Sequence, residues 1–179
     1  TQGIVLSISV VAGFILFDEI SDFTALFRWD AAQIILYGLG FGTLAAVMDM
    51  LLTKRIPPSW TDDGGINERI FRGLPAPMIF LLSLTVAVCE EVLFRGIIQY
   101  HTNIWMASLI FALVHFRYLH KACLFSYVCM LSLFLGWLFY LTDNLLVTIV
   151  FHFMVDFLLG LEIRRSYKKQ TLEIESEGL

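Results

Sequence analysis

Hydrophobic residues along this chain fall into six long runs separated by short polar stretches. The runs are Gly3–Phe17, Ala31–Leu52, Pro77–Tyr100, Thr102–Phe116, Cys123–Leu141 and Leu145–Ile163. Runs of nearly 20 residues with few charges are long enough to cross the hydrocarbon core of a bilayer as α-helices. Lipid offers the backbone no hydrogen-bond partners, so each run must satisfy its own as a helix. The pattern predicts an all-α polytopic membrane protein with about six transmembrane helices.

The composition supports a membrane location and argues against some functions. Hydrophobic residues make up 58% of the chain, compared with about 45–50% in ordinary soluble domains. No basic helix or basic–aromatic stripe is present, so no nucleic-acid partner is expected. The three cysteines lie in apolar runs without metal-ligand spacing, and we interpret them as packed thiols.

Positive charges are distributed unevenly among the connections. Ten of the twelve Lys and Arg residues lie in connectors 53–74 and 117–122 and in the stretch after Ile163. The positive-inside rule places such segments in the cytoplasm. We expect a multi-pass protein with both termini and both basic connectors on that side. Its expected parts are two N-terminal transmembrane helices with a connector (1–74), a core (75–163) and a polar cytoplasmic tail (164–179).

Three charged residues interrupt the third run, in the segment CEEVLFRG (89–96). Residues four apart share one face of a helix, so Glu91 and Arg95 are spaced to form an ion pair. Adjacent residues point about 100° apart on a helix, which leaves Glu90 without that partner. The spacing therefore predicts a structural pairing role for Glu91 and a general-base role for the freer carboxylate of Glu90.

Two further runs also place polar side chains inside apolar helices, in the segments FALVH and FHFMVD. Ionisable groups inside a membrane are rare, and they mark functional sites or internal ion pairs. Buried polar clamps between helices are the competing interpretation, but three such helices together favour chemistry. We expect one buried polar site among the helices, formed by Glu90, Glu91, Arg95, His115, His152 and Asp156.

Two features of the second run have simpler interpretations. Gly38 and Gly42 have the small-xxx-small spacing that lets helices approach closely, so we expect them to pack against another helix. Asp49 lies near the end of the run and is expected to extend toward Lys54 or Arg55.

The polar residues resemble the motifs of the CPBP family, which comprises CAAX prenyl proteases and bacteriocin-processing proteins and is also called the Abi family. The family motifs EExxxR, FxxxH and HxxxN or HxxxD correspond here to Glu90–Arg95, Phe111–His115 and His152–Asp156. Their order and spacing agree over about residues 75–160. The resemblance implies a CAAX-protease-like fold.

The resemblance also implies a glutamate-type intramembrane endopeptidase acting on a membrane-associated or lipid-anchored protein or peptide. The implied roles are water activation by Glu90 and His115, oxyanion stabilisation by His152 and Asp156, and positioning of Glu90 by Glu91 and Arg95. The family is regarded as metal-independent, which implies no cofactor. A zinc site is the less favoured alternative, because the chain has no HExxH motif.

One position departs from the pattern of the prenyl proteases, which have Asn where this chain has Asp156. An amide can donate a hydrogen bond to an oxyanion, whereas a carboxyl group donates only when it is protonated. Asp156 would either be kept neutral by burial or accept a proton from His152 and fix its orientation. The sequence leaves these alternatives open.

The depth of His115 conflicts with that of the other motifs. Glu90 and His152 lie about 20 Å and 16 Å from the cytoplasmic ends of their predicted helices, at ~1.5 Å per residue. His115 lies only two residues before Arg117. For the motifs to meet, either the fourth helix continues with Lys121 dipping toward the core, or the third begins deeper than predicted.

The competing functional hypothesis is a catalytically silent scaffold or chaperone subunit of a membrane protein complex. Intact Glu90, His115 and His152 favour the protease, and Asp156 favours the scaffold. A transporter is a weaker alternative, because no repeat between the two halves is visible. The expected partners are the lipid bilayer and a peptide or membrane-protein substrate.

Overall fold

The protein is a bundle of helices, with no strand in the part of the chain described by the structure. A computed structural model describes residues 2–61 and 63–177. The helices are α1 (Gln2–Leu16), α2 (Ile20–Ala25), α3 (Ala31–Thr53), α4 (Pro58–Thr61), α5 (Ile66–Phe71), α6 (Ala76–Gln99), α7 (Ile104–Val114), α8 (Ala122–Thr142) and α9 (Leu145–Glu177). The predicted all-α architecture is confirmed.

Six of these helices correspond to the six predicted apolar runs. Helices α3, α6, α8 and α9 are long and apolar enough to cross a membrane. Helices α1 and α7 are apolar but shorter, with 15 and 11 residues. The length and composition of the four long helices make this an integral membrane protein. The largest difference from the predicted bounds is in α9, which runs past Ile163 to Glu177, so the polar tail continues the last apolar helix.

Helix α1 runs parallel to α6 and packs along it. At its start, Nε2 of Gln2 donates a hydrogen bond to Oε1 of Glu90 (3.1 Å). Just beyond its end, Phe17 stacks on Tyr100 with 5.2 Å between ring centroids. Two successive apolar helices, α1 and α3, precede α6, so a shared direction for α1 and α6 fits an alternating bundle.

Helix α9 runs antiparallel to α6 along most of its length. The side chain of Leu145 packs against Gly96, and Gly160 lies against Ile79. The connectors before α6 and after α7 therefore lie at the same end of the bundle as the second half of α9. We call this the basic end; it comprises residues 54–61, 63–75, 115–121 and 164–177.

Helix α3 approaches α9 closely at two glycines. A Cβ atom added to Gly42 would lie 2.7 Å from the carbonyl oxygen of Phe151, and one on Gly38 would lie 3.0 Å from that of Val147. Larger residues would hold the two backbones apart. The prediction that these glycines serve close helix packing is confirmed.

Asp49 does not pair with the nearby cations. The ion pairs found in residues 2–61 and 63–177 do not include it, so the expected contact with Lys54 or Arg55 is wrong. The side chain is partly buried and lies within electrostatic range of Tyr127 on α8. Asp49 lies seven residues after Gly42, which is two helical turns, so it shares the face of α3 that packs into the bundle.

We predict that Gly42→Ala destabilises the protein, whereas Gly40→Ala does not. The new methyl group at position 42 would overlap the backbone of α9, and such overpacking costs about 1–3 kcal/mol. At position 40 the nearest atom lies 3.4 Å away, which is close to an ordinary contact. Thermal unfolding in detergent, followed by tryptophan fluorescence, measures both variants. Equal melting temperatures for the two would contradict the close crossing of α3 and α9.

Candidate active site

Glu91 is the centre of a buried polar network. Its Oε2 lies 3.3 Å from Nε of Arg95, and neither side chain is exposed to solvent. Its Oε1 lies 2.9 Å from Nδ1 of His152, which is on α9. The ion pair between Glu91 and Arg95 predicted from the i, i+4 spacing is present. The contact with His152 was not predicted, and it joins the first motif to the third.

Arg95 is held by groups from two further helices. Its Nη2 donates to the carbonyl oxygen of Ser132 (2.9 Å) and to Oγ of the same residue (3.1 Å). Its guanidinium carbon lies 5.1 Å from the ring centroid of Phe111 on α7. One turn further along α6, Nε2 of Gln99 donates to the carbonyl oxygen of Gly136 (2.7 Å). The contacts with Ser132 and Gly136 place α8 parallel to α6. Phe111 beside Arg95 and His152 beside Glu91 join the second and third motifs to the first.

His152 lies between two carboxylates. Its Nδ1 faces Glu91, and its Nε2 lies 3.6 Å from Oδ2 of Asp156. That separation is longer than a hydrogen bond, so the Asp156 side of the network is looser. The side chain of Asp156 is 30% exposed, whereas that of Glu91 is fully buried. The network therefore has a closed end at Glu91 and an open end at Asp156.

Glu90 faces away from the closed end of the network. It is partly buried, and its Oε1 accepts the hydrogen bond from Gln2 on α1. Its carboxylate is close enough to interact electrostatically with Arg95, His152 and Asp156. The two adjacent glutamates thus have different partners, as their helical spacing predicted. Their catalytic roles stay predictions.

His115 is oriented by its own helix. Its Nδ1 lies 2.7 Å from the carbonyl oxygen of Phe111, and its ring stacks on the Phe111 ring at 4.4 Å. A carbonyl oxygen only accepts, so Nδ1 carries the proton and Nε2 of the neutral ring keeps its lone pair. In the described part of the chain, no hydrogen bond or ion pair joins His115 to Glu90. It reaches the network through Phe111, which contacts Arg95.

The depth conflict at His115 is resolved by the connector after α7. Ser132 lies about 15 Å along α8 from Ala122, whereas Arg95, which it contacts, lies about 28 Å along α6 from Ala76. The connector before α8 is therefore recessed into the bundle. The start of α6 is almost where it was predicted, so the alternative of a deeper third helix is wrong. Helix α7 ends at Val114, so the other alternative, a fourth helix that continues past Arg117, is also wrong. The loop after α7 lies deeper than the start of α6, and Nζ of Lys121 donates to the carbonyl oxygen of Ser59 (3.2 Å).

The residues described by the structure include no group of three or more His, Cys, Asp or Glu side chains arranged to hold a metal ion. Both ring nitrogens of His152 already face carboxylates, and Nδ1 of His115 faces a carbonyl. The network is an alternation of hydrogen-bond donors and acceptors between side chains. This arrangement suits proton transfer and the stabilisation of charge.

The all-helical membrane bundle, with the three motifs brought to one buried network, is the CAAX-protease-like fold that the motifs imply. Residues 72–158, which contain all three motifs, match the family described as type II CAAX prenyl endopeptidase, Rce1-like. The chain belongs to this family, within the CPBP group that its motifs resemble. It is also 39% identical over 164 residues to the uncharacterized protein YpbD of Bacillus subtilis (strain 168), an alignment covering 92% of this chain and 87% of that protein. No solved structure matches the chain.

We predict that Glu91→Gln destabilises the fold far more than Glu90→Gln does. The first change leaves the guanidinium of Arg95 buried without a counter-charge, and breaking a buried ion pair in this way costs about 3–5 kcal/mol. The second change affects a partly buried carboxylate that accepts a hydrogen bond from Gln2. Melting temperatures in detergent test the difference. Similar melting temperatures would show that the Glu91–Arg95 contact does not stabilise the bundle.

Proposed function

We propose that this protein is a glutamate-type intramembrane endopeptidase that hydrolyses a peptide bond of a membrane-associated or lipid-anchored protein or peptide. The observation that carries the proposal is the 2.9 Å contact between Glu91 and His152. It brings the glutamate motif and the last histidine motif into one buried network. Membership of a family of prenyl endopeptidases supports the same reaction.

In the proposed reaction, Glu90 and His115 activate water. The water oxygen attacks the carbonyl carbon of the substrate as its proton passes to the Glu90 carboxylate. A tetrahedral intermediate forms with negative charge on the former carbonyl oxygen. When the carbon–nitrogen bond breaks, the proton is delivered to the leaving amine. The products are a carboxylic acid and an amine, and one water is consumed.

His152 is suited to stabilise the oxyanion. Its Nδ1 is used by Glu91, so Nε2 is the nitrogen that faces the open end of the network. Nε2 donates to an oxyanion only when both ring nitrogens carry protons. The two ring nitrogens face the carboxylates of Glu91 and Asp156, which can accept hydrogen bonds from that form of the ring. We assign Asp156 the role of orienting His152 in the free protein, where its carboxylate faces Nε2 until substrate binds.

His115 supports Glu90 in this scheme without touching it in the free protein. The lone pair on Nε2 is available to accept or share a proton from the attacking water. Catalytic hydrogen bonds are often long in free enzymes and tighten when substrate binds. His115 follows the last residue of α7, so a small change in the connector at 115–121 would bring its Nε2 closer to Glu90 without moving the helix.

We also propose that the basic end faces the cytoplasm and supplies the water. The positive-inside rule favours this orientation. Asp156, the exposed member of the network, lies on the part of α9 that leads toward the basic end. Water then has a shorter path to the site from the recessed connector than from the opposite end of the bundle.

A catalytically silent scaffold is the second candidate function. Two observations favour it: Asp156 stands where the prenyl proteases have Asn, and no hydrogen bond or ion pair among the described residues joins Glu90 to His115. A scaffold needs the buried network only for packing. It would therefore depend on Glu91 and Arg95 but not on Glu90.

Glu90→Gln is predicted to abolish cleavage while the protein stays folded. Loss of a general base reduces turnover by about 10²–10⁴-fold. The purified protein in liposomes would be incubated with membranes from cells in which its gene is deleted, which supply the candidate substrates. New peptide termini would be identified by mass spectrometry. In water labelled with ¹⁸O, each new carboxylate should gain one heavy oxygen. Glu173→Gln, on the exposed surface of α9, is the matched control and should retain activity. Full function of Glu90→Gln in cells would instead support the scaffold.

The orientation predicts opposite labelling of two cysteine variants in a background where the native cysteines are serine. Trp29→Cys, exposed at the end opposite the basic end, should react with a membrane-impermeant maleimide in intact cells. Ser176→Cys should react only after the membrane is permeabilised. The reverse result would place the basic end outside the cytoplasm.

A further inference from the structure

A second polar cluster lies next to the network, where α3, α8 and α9 meet toward the basic end. Above it, the three helices share an apolar cluster that includes Ala45, Leu131 and Val155. One turn closer to the basic end, α3 and α8 contribute polar side chains to this interface in place of apolar ones. Asp49 follows Ala45 by four residues, and Tyr127 precedes Leu131 by four. Residues four apart share a helical face, so both side chains point into the same three-helix interface.

Tyr127 is the central member of this cluster. Its hydroxyl oxygen is buried and has no hydrogen-bond partner within residues 2–61 and 63–177. It lies within electrostatic range of both Asp49 and Asp156. A buried hydroxyl is costly unless it is paired, and nearby carboxylates are strong acceptors. The phenol is therefore an unpaired buried donor near two carboxylates, one of which belongs to the His152 network.

We propose that Tyr127 is a positioning residue for His152 that acts through Asp156: a small rotation of the partly exposed Asp156 side chain lets the Tyr127 hydroxyl donate to its carboxylate in the free protein. The donated bond fixes one carboxylate oxygen and holds the other facing Nε2 of His152. When substrate binds, the ring is already oriented and the oxyanion takes over the Nε2 hydrogen. The catalytic consequence of this inference rests on the proposed function.

The assignment also accounts for the aspartate at position 156. An asparagine would present an amide to the oxyanion by itself. An aspartate needs a neighbouring donor to hold its carboxylate in an orienting position, and Tyr127 is placed to be that donor. Asp49 is the competing acceptor for the same proton, because Tyr127 has one hydroxyl hydrogen for two carboxylates.

The test compares wild type, Tyr127→Phe, Asp156→Ala and the double variant. Tyr127→Phe removes only the hydroxyl, and turnover should fall about ten- to hundredfold, as expected for one hydrogen bond to a charged group, with KM unchanged. In the Asp156→Ala background, where the acceptor is missing, the same change should have no further effect. Tyr37→Phe is the matched control, because Tyr37 packs on the apolar cluster above, and it should behave as wild type.

A readout independent of turnover is ¹⁵N NMR of histidine-labelled protein in detergent micelles. Among the signals of the four histidines, those of His152 are identified by their loss in a His152→Gln variant. Tyr127→Phe should shift the Nε2 resonance of His152 and leave Nδ1, which faces Glu91, unchanged. An unchanged Nε2 resonance, or an equal loss of turnover in both Asp156 backgrounds, would overturn the inference. A shifted resonance in a protein that cleaves nothing would keep the positioning role and reject the protease.

Discussion

The site depends on the Glu91 carboxylate, which contacts two different side chains through its two oxygens. One oxygen faces Arg95 and the other faces His152, inside a bundle where lipid supplies no counter-charge. Because each buried charge must be matched by another side chain, this carboxylate sets the register of α9 against α6. Arg95 extends the same constraint to α8 through Ser132. Three helices are thus aligned by a single chain of polar contacts.

The network is asymmetric, and that asymmetry has chemical meaning. At its closed end, Glu91 and Arg95 are fully buried and contact each other, which is a structural arrangement. At its open end, Asp156 is partly exposed and no closer than 3.6 Å to His152. A substrate and water can be accommodated only where side chains still have room to move. The rigid half holds His152 in place, and the loose half is where chemistry is expected.

The sequence predicted features that depend on spacing within one helix. The Glu91–Arg95 pair, the shared face of His152 and Asp156, and the close packing at Gly42 all follow from helical periodicity. Contacts between helices were missed, because they depend on rotation and axial shift that no local pattern records. Ser132 is one of two serines in the apolar helix α8, and nothing in the sequence distinguishes it as the partner of Arg95. Asp49 was misassigned for the same reason, since the nearest cations in sequence are not its neighbours in space.

The continuity of α9 has a mechanical consequence. One uninterrupted helix of 33 residues carries His152 and Asp156 and then projects beyond the apolar bundle as a polar rod. Its closest backbone contact with α3, at Gly42 and Phe151, lies beside His152 and can serve as a pivot. The polar part of the helix is itself held at the basic end, where the guanidinium of Arg72 lies over the ring of Tyr167. One unbroken backbone therefore ties the position of the two residues at the open end to contacts made at the basic end.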